Sequence, residues 1–482
     1  MKKTKTLLVI IFISALVMLS CFSTAAAADG YYPEISSENA IVVYSIESGQ
    51  TLYSYRSDEK TAPTAATKLL TMMVVYDLFS EHDIDYKTLR ITVTQESISG
   101  IGNLGDISAP RLGLTAGKDY LAEDLMGASL VGNANDACNV LAYYCATEFL
   151  GGNIGAFFAR MNQKAEALGT TDSVFKNATG LDQSGMVTTP KDVALIAAGF
   201  YKYNELFIMS NRSLMKFNIT GTVHAKNYLL SDALISKYKM NQAKGIIAGQ
   251  RDVNGDYTLI TAVEKDGLTY IIVVMNASGE LRTTDGLRSF GDGNAYDDMK
   301  ILIPWTQNSF EYRILSEKEG EPVAELRVAM GKSYDHVKVI PQSKLELLIN
   351  KSVESSQIER KISFDESIVY KGDYNGTVVD MVDAPIVKGQ EVGTLTFLYN
   401  GEVLGSVKLI AQSSVDASGL LSTANTVKGF LFGSTMRTIL LGFAGIIALY
   451  ILFSIVTSVI RGIKRIKKAT TGRKSNKEDD SF

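Results

Sequence analysis

Ala62-Pro63-Thr64-Ala65-Ala66-Thr67-Lys68-Leu69-Leu70-Thr71-Met72-Met73-Val74-Val75-Tyr76-Asp77-Leu78-Phe79 is the stretch from which the fold can be read. From Leu69 to Phe79 only Thr71 and Asp77 are clearly polar. A helix apolar on nearly every face lies in the middle of a domain, not on its surface. Pro63 suits a first helical turn, and the hydroxyl of Thr64 or Thr67 is expected to cap a free N–H there. Lys68 is the single charge between Lys60 and Asp77, and it falls on the first turn. A buried ammonium is costly unless partners hold it. Two readings stand at this point: a lysine that snorkels to the surface, or one kept inside for a site.

Working outward, Ala40 to Ile46 and Gln50 to Tyr55 predict two strands joined by a turn at Glu47-Ser48-Gly49. Leu89 to Thr94 alternates like a short strand. Glu123 to Phe149 predicts a helix broken near Gly132-Asn133-Ala134-Asn135-Asp136. Ala156 to Leu168 and Pro190 to Tyr203 predict two more, with a turn-rich loop from Val174 to Leu181 between them. Strands return at Tyr257 to Glu264 and Thr269 to Met275, flanking a turn at Asp266-Gly267. Helices between an early and a late set of strands imply a sheet assembled from both ends of one domain. Trp305 lies near its close. From about Glu311 short strands such as Ala324–Val328, Val337–Ile340, Leu345–Ile349, Gly393–Tyr399 and Gly405–Ile410 alternate with Gly and Asn turns. That texture predicts a small β-sandwich. The fold class is α+β: helices packed on an antiparallel sheet, then the sandwich.

The two ends give an address. Lys2, Lys3 and Lys5, an apolar run from Leu7 to Leu19 and the small residues Ala25 to Ala28 form a secretory signal. Cys21 raises the question of lipidation, but Met18-Leu19-Ser20 is a poor match to the residues that precede a lipidated cysteine. Thr438 to Ile460 runs 23 residues without a charge, about 35 Å of helix and enough to cross a bilayer. Arg461, Lys464, Arg465, Lys467, Lys468, Arg473 and Lys474 follow with no acid among them. The positive-inside rule then puts the tail in the cytoplasm and the bulk of the chain outside. The expected organisation is a signal peptide over 1–28, a first domain over 29–305, the β-sandwich over 306–412 and a linker over 413–437. A single transmembrane helix over 438–460 and a basic tail over 461–482 complete it.

Composition excludes several function classes. A net charge of −4 with 21% charged residues gives no sign of nucleic-acid binding. After signal cleavage Cys138 and Cys145 remain, seven apart on a predicted helix and so about 10 Å apart, too far for a disulfide. They read as buried small hydrophobes. His82, His224 and His336 are scattered with no metal-ligand spacing, and there is no GxSxG elbow. Gly100-Ile101-Gly102-Asn103-Leu104-Gly105 fits GxGxxG by letter, but Pro110 and further glycines follow where a dinucleotide loop must open a helix, and it is expected to be a mobile loop, not a cofactor site. No metal and no cofactor are expected.

Several phrases in order carry a resemblance: Ser48-Gly49-Gln50-Thr51-Leu52-Tyr53, Pro63 to Thr71, Asn135-Asp136-Ala137, Met161-Asn162 to Leu168-Gly169, Phe175-Lys176-Asn177 with Gly180-Leu181, Asn227-Tyr228-Leu229-Leu230, and Gly393-Thr394-Leu395. Together they resemble the low-molecular-mass penicillin-binding proteins, the serine D-alanyl-D-alanine carboxypeptidases of bacterial cell walls, over about Ala40 to Ile410. The resemblance implies a penicillin-binding-protein/β-lactamase-like first domain. It also implies three motifs: S-x-x-K with a nucleophilic serine and a candidate lysine base, S-x-N for proton relay and positioning, and K-T-G on an edge strand that grips the substrate carboxylate.

This chain departs from all three. Lys68 fits the family lysine, which puts the nucleophile at Ala65, a residue without an atom that can form an acyl-enzyme. The second motif reads Asn133-Ala134-Asn135. The third falls in Ala243-Lys244-Gly245-Ile246-Ile247-Ala248-Gly249, with Ile247 for the lysine, Ala248 for the threonine and only Gly249 kept. Thr64 is one residue off the required spacing, turned by about 100° around the helix. Ser213-Leu214-Met215-Lys216 fits S-x-x-K but lacks the apolar helix that must follow. Lys68 is expected to be held by the amide oxygens of Asn133 and Asn135. The reading is a membrane-anchored, inactive relative acting as a binding or scaffold protein at the cell wall, its partners peptidoglycan stem peptides or an active homologue. The alternative is a working carboxypeptidase that trims stem peptides with unconventional residues.

Overall fold

The structure is a computed structural model that describes residues 31–103, 109–217, 221–230, 236–251, 256–284, 287–419 and 434–475. The expected signal peptide with Cys21, residues 420–433 of the linker and the last seven residues of the tail lie outside this set. The chain forms two units, Met1–Arg313 with Leu347–Gln357, and Ile314–Glu346 with Ile358–Phe482.

The first unit is built on five strands: β1 (Ala40–Ser45), β2 (Thr51–Tyr55), β3 (Ala243–Gln250), β4 (Asp256–Lys265) and β5 (Leu268–Ser278). They pair antiparallel in the order β2-β1-β5-β4-β3, so early and late strands close one sheet. Successive residues of a strand point to opposite faces. Val42, Ile260, Ile271 and Val273 therefore face one apolar core, while Ile41, Leu259, Ile272 and Val274 face another. The first core is covered by α1 (Ala66–Glu81), α2 (Ala122–Val131), α3 (Asn135–Phe149), α4 (Ile154–Ala167) and α5 (Pro190–Tyr201). α6 (Asn204–Ser210) adds Leu206 and Met209 to it. The second core is covered by α7 (Ala295–Ser309) through Met299, Leu302 and Ile303.

α1 is the buried helix that its composition predicts, with Leu69, Leu70, Met72, Met73 and Val75 all at 0% exposure. Each large apolar side chain buried this way contributes roughly 1.5–3 kcal/mol. Its start differs from expectation. The N-cap is Ala65, in helical conformation, and no side chain caps the helix. Thr64 takes a left-handed φ of 43° and donates its hydroxyl to Thr258 of β4 at 2.7 Å. The Thr67 hydroxyl is buried without a partner among the described residues. Thr64 ties the helix start to β4 instead of closing its N–H groups, and Thr67 does neither.

The predicted break in the second helix is real, with α2 ending at Val131 and α3 starting at Asn135. Cys138 and Cys145 are both free and buried. Leu214–Phe217 and Gly221–His224 pair as a hairpin. Lys216 therefore sits on a strand and is exposed, which removes Ser213 and Lys216 as a helical S-x-x-K pair. Gly100 and Gly102 lie beyond a short 3-10 turn at Glu96–Ile98, and the next helix begins only at Ala122. The dinucleotide-loop geometry is absent among the described residues there.

The second unit is β-rich, with β6 (Ala324–Ala329), β7 (His336–Pro341), β8 (Glu359–Phe364), β9 (Val369–Tyr374), β10 (Thr377–Asp383), β11 (Glu391–Tyr399) and β12 (Glu402–Ala411). They form one hydrogen-bonded order, β8-β11-β12-β7-β6-β10-β9. Both ends of that order contribute to one apolar core, through Ile362 and Val369, and the strand expected at Leu345–Ile349 is not part of the order. α8 (Ser434–Ser475) contains Met436–Arg465, long and apolar enough to cross a membrane. None of its apolar window is buried, unlike the core helix of a soluble fold.

Candidate functional site

Four local structures meet at the start of α1: its first turn, the break between α2 and α3, the edge strand β3, and the loop Asn177–Gly180. Gly249 marks the meeting point. A Cβ added there would stand 2.7 Å from the Ala65 Cβ and 2.7 Å from the Asn133 Nδ2. Gly249 pairs with Thr258 on β4, whose hydroxyl receives the Thr64 bond, so sheet and helix start are clamped together. The structure thus brings Ala65, Asn133 and Gly249 to one place, with Lys68 one turn along the helix. The place is closed. Ala65 is 3% exposed, Lys68 2%, Asn133 5%, Asn135 1%, and Ile247 and Ala248 1% each. Because β3 alternates, Ile247 joins the helix-covered core and Ala248 the opposite one.

Lys68 does not snorkel. Its Nζ donates to the Thr179 carbonyl at 2.6 Å. Burial pulls the amine down to about 8, and the neighbouring Cys138 and Asp136 act against that shift. The expected amide partners are not the ones used. Among the described residues the Asn133 Oδ1 has no partner, and the Asn135 Nδ2 donates to the Ile101 carbonyl at 3.4 Å. Asn133 sits at a left-handed φ of 53°, with its amide nitrogen against Gly249.

The loop that supplies the carbonyl is itself fastened. The Asn177 Oδ1 accepts from the Thr179 and Gly180 N–H groups at 3.1 and 2.8 Å. Gly180 has a φ of 82°, and a Cβ on it would lie 1.8 Å from the Thr64 carbonyl oxygen, so only glycine lets the loop approach this closely. The Ala178 carbonyl accepts from the Thr71 hydroxyl at 2.8 Å and the Cys138 thiol at 3.0 Å. Burial pushes the Cys138 thiol up to about 11, with Lys68 opposing, so at neutral pH the thiol stays protonated under the site. Asp136, fully buried, accepts from the Leu112, Gly113, Leu114 and Ala137 N–H groups at 2.8 to 3.1 Å. That pins the 112–114 loop onto α3.

Chemically the place holds one amine, two carboxamides and apolar groups. The two hydroxyls nearest position 65 are poorly placed for attack. Thr64 is committed to Thr258, and Thr67 is 0% exposed and faces Gly180. Reading the sequence finds Lys68 and the altered positions but not Thr179, Cys138 or Asp136 as their neighbours. The only advance signal for Thr179 is the Asn-Ala-Thr-Gly turn.

A family model described as D-alanyl-D-alanine carboxypeptidase matches residues 23–279, more than half of the chain. The chain belongs to this family. A second model, the C-terminal domain of penicillin-binding protein 5, matches residues 310–417. D-alanyl-D-alanine carboxypeptidase DacF of Bacillus subtilis is 24% identical over 425 residues, covering 86% of this chain and 96% of its own length. DacC of Escherichia coli is 25% identical over 388 residues, 79% of this chain and 84% of its own. Among solved structures, DacD of Francisella tularensis matches at 20% identity and TM-score 0.58 over 80% of this chain and 95% of that one. Penicillin-binding protein 5 of Haemophilus influenzae matches at 21% and TM-score 0.53, over 80% and 99%. The expected family and its α+β fold, with a β-rich second domain, are both found.

Proposed function

We propose that this chain is a membrane-anchored, extracytoplasmic D-Ala-D-Ala carboxypeptidase homologue that no longer hydrolyses peptides and serves as a peptidoglycan-binding or scaffold protein at the cell wall. One observation carries the reading: at the point where Lys68, position 133 and Gly249 converge, position 65 is a methyl group packed against the strand. The family chemistry needs a side-chain oxygen there. In another serine hydrolase removal of the nucleophile alone costs on the order of 10⁶ in turnover. Three further changes compound the loss. Asn133 replaces a hydroxyl by a carboxamide, and Ile247 and Ala248 replace a cation and a hydroxyl by buried alkyl groups.

The remaining parts keep a structural role in this reading. Lys68 fastens α1 to the 177–180 loop, and Asn135 fastens the α2–α3 break to Ile101. Without the strand lysine, grip on a peptide carboxylate is weakened, and the natural partners are stem peptides held loosely or an active homologue. The apolar window of α8, followed by Arg461, Lys464 and Arg465, supports an anchor with a cytoplasmic tail. Incubation of the purified full chain with a stem-peptide mimic ending in D-Ala-D-Ala tests the reading. No D-alanine release above the spontaneous rate is expected, and turnover at a family-like rate would replace it by the working carboxypeptidase.

A further inference from the structure

The β-rich unit ends in a cluster of loops that the family chemistry does not use. We propose that this end is a docking face for an anionic phospholipid surface, a proposal that rests on reading α8 as the membrane anchor. The chain leaves β12 at Ala411 and is stitched to two loops on its way out. Val415 bridges to Ile386 and Ala417 to Gly331. The Lys332 N–H donates to the Asp416 carbonyl at 2.8 Å, the Ser418 N–H to the Met330 carbonyl at 2.8 Å, and the Lys388 N–H to the Ser414 Oγ at 2.8 Å. Val415 and Ile386 are buried beneath. The loops beside the departing chain are therefore rigidly placed.

Their outer residues are the wrong type for water alone. Tyr334 is 64% exposed and Val387 59%. Lys332 and Lys388 are exposed, and neither makes an ion pair among the described residues. Of the nearby acids, Asp335 is taken up by Tyr374, Arg327 and His336, and Asp383 by the Tyr370 hydroxyl. Asp416 remains against the two lysines. An amphipathic tyrosine and a valine flanked by uncommitted lysines suit the headgroup layer of an anionic membrane. The tether points the same way. Fourteen residues, 420–433, separate this end from α8, a reach of roughly 50 Å at full extension. Val403, also 64% exposed, lies at the far end of β12, eight residues from Ala411 and so roughly 26 Å away, and provides a built-in control.

The test uses the full chain in nanodiscs of phosphatidylglycerol with brominated acyl chains. Tryptophan is introduced as Tyr334→Trp or Val403→Trp, and the native chain supplies the Trp305 background. The emission at 334 is expected to be quenched several-fold more than at 403. That difference is expected to vanish on adding Lys332→Glu with Lys388→Glu, or in zwitterionic discs. Incorporation into discs with 334 quenched no more than 403 overturns the docking face and leaves the anchor standing. Failure of the chain to enter discs removes both. Shielding of 334 that rises with protein concentration in lipid-free detergent also overturns the proposal, because the face is then an interface between copies.

Discussion

Lys68 holds its charge at 2% exposure on one carbonyl oxygen, and that has a pH signature. Burial lowers the amine from its ordinary 10.5 to about 8. Below about 8 both folded and unfolded chains carry the proton, and the folded one bears the full cost of burying it. Between about 8 and 10.5 the unfolded chain binds more protons, so stability rises with pH across that window, by about 3 kcal/mol at most. Lys68→Met lacks this dependence. Urea denaturation of the two proteins is expected to show the native chain gaining on the variant between pH 7 and pH 10. Parallel curves would mean that the amine is solvated after all. Residue identity made part of this legible: the methyl at 65, the amide at 133 and the alkyl groups at 247 and 248 are stated by the letters. The partner of Lys68 was not legible, because Thr179 offers its main-chain carbonyl and any residue type could have done so.

At the scale of elements, legibility follows the apolar pattern. α1 is apolar all round and reads as a core helix, and β4 and β5 announce themselves by β-branched and apolar residues on either side of Asp266-Gly267, unbroken from Tyr270 to Met275 in β5. α7 leaves no such mark. Its apolar contacts are spaced by polar residues, and Pro304 inside it is a residue that normally argues against a helix. The Leu214–Phe217 hairpin leaves no clear pattern either, being short and half exposed. No threonine caps α1, because Thr64 is drawn to β4 by Thr258. The loop over residues 112–114 depends on α3 through a single carboxylate. Asp136→Ala leaves four N–H groups to find other partners, a loss of about 1–3 kcal/mol for each donor that stays buried without one. Hydrogen exchange at Leu112, Gly113 and Leu114 is expected to accelerate in the variant before the chain unfolds globally, and unchanged protection would show the loop to be held by other contacts.

For the whole molecule, the change of texture near Glu311 lies beside the break at Arg313, but Leu347–Gln357 belong to the first unit although the texture assigns them to the sandwich over 306–412. The continuity of the seven-stranded order was not readable, since strand pairing between distant segments such as β7 and β12 leaves no local trace. The proposed reading rests on a family frame around altered motif residues, and it concentrates on the Ala65 methyl. Mass spectrometry of the full chain after exposure to penicillin tests it most directly, run beside a variant carrying Ala65→Ser, Asn133→Ser, Ile247→Lys and Ala248→Thr. The native chain is expected to keep its mass while the restored one gains a penicilloyl adduct on residue 65. A covalent adduct on the native chain at any residue of the α1–β3 site would contradict the account.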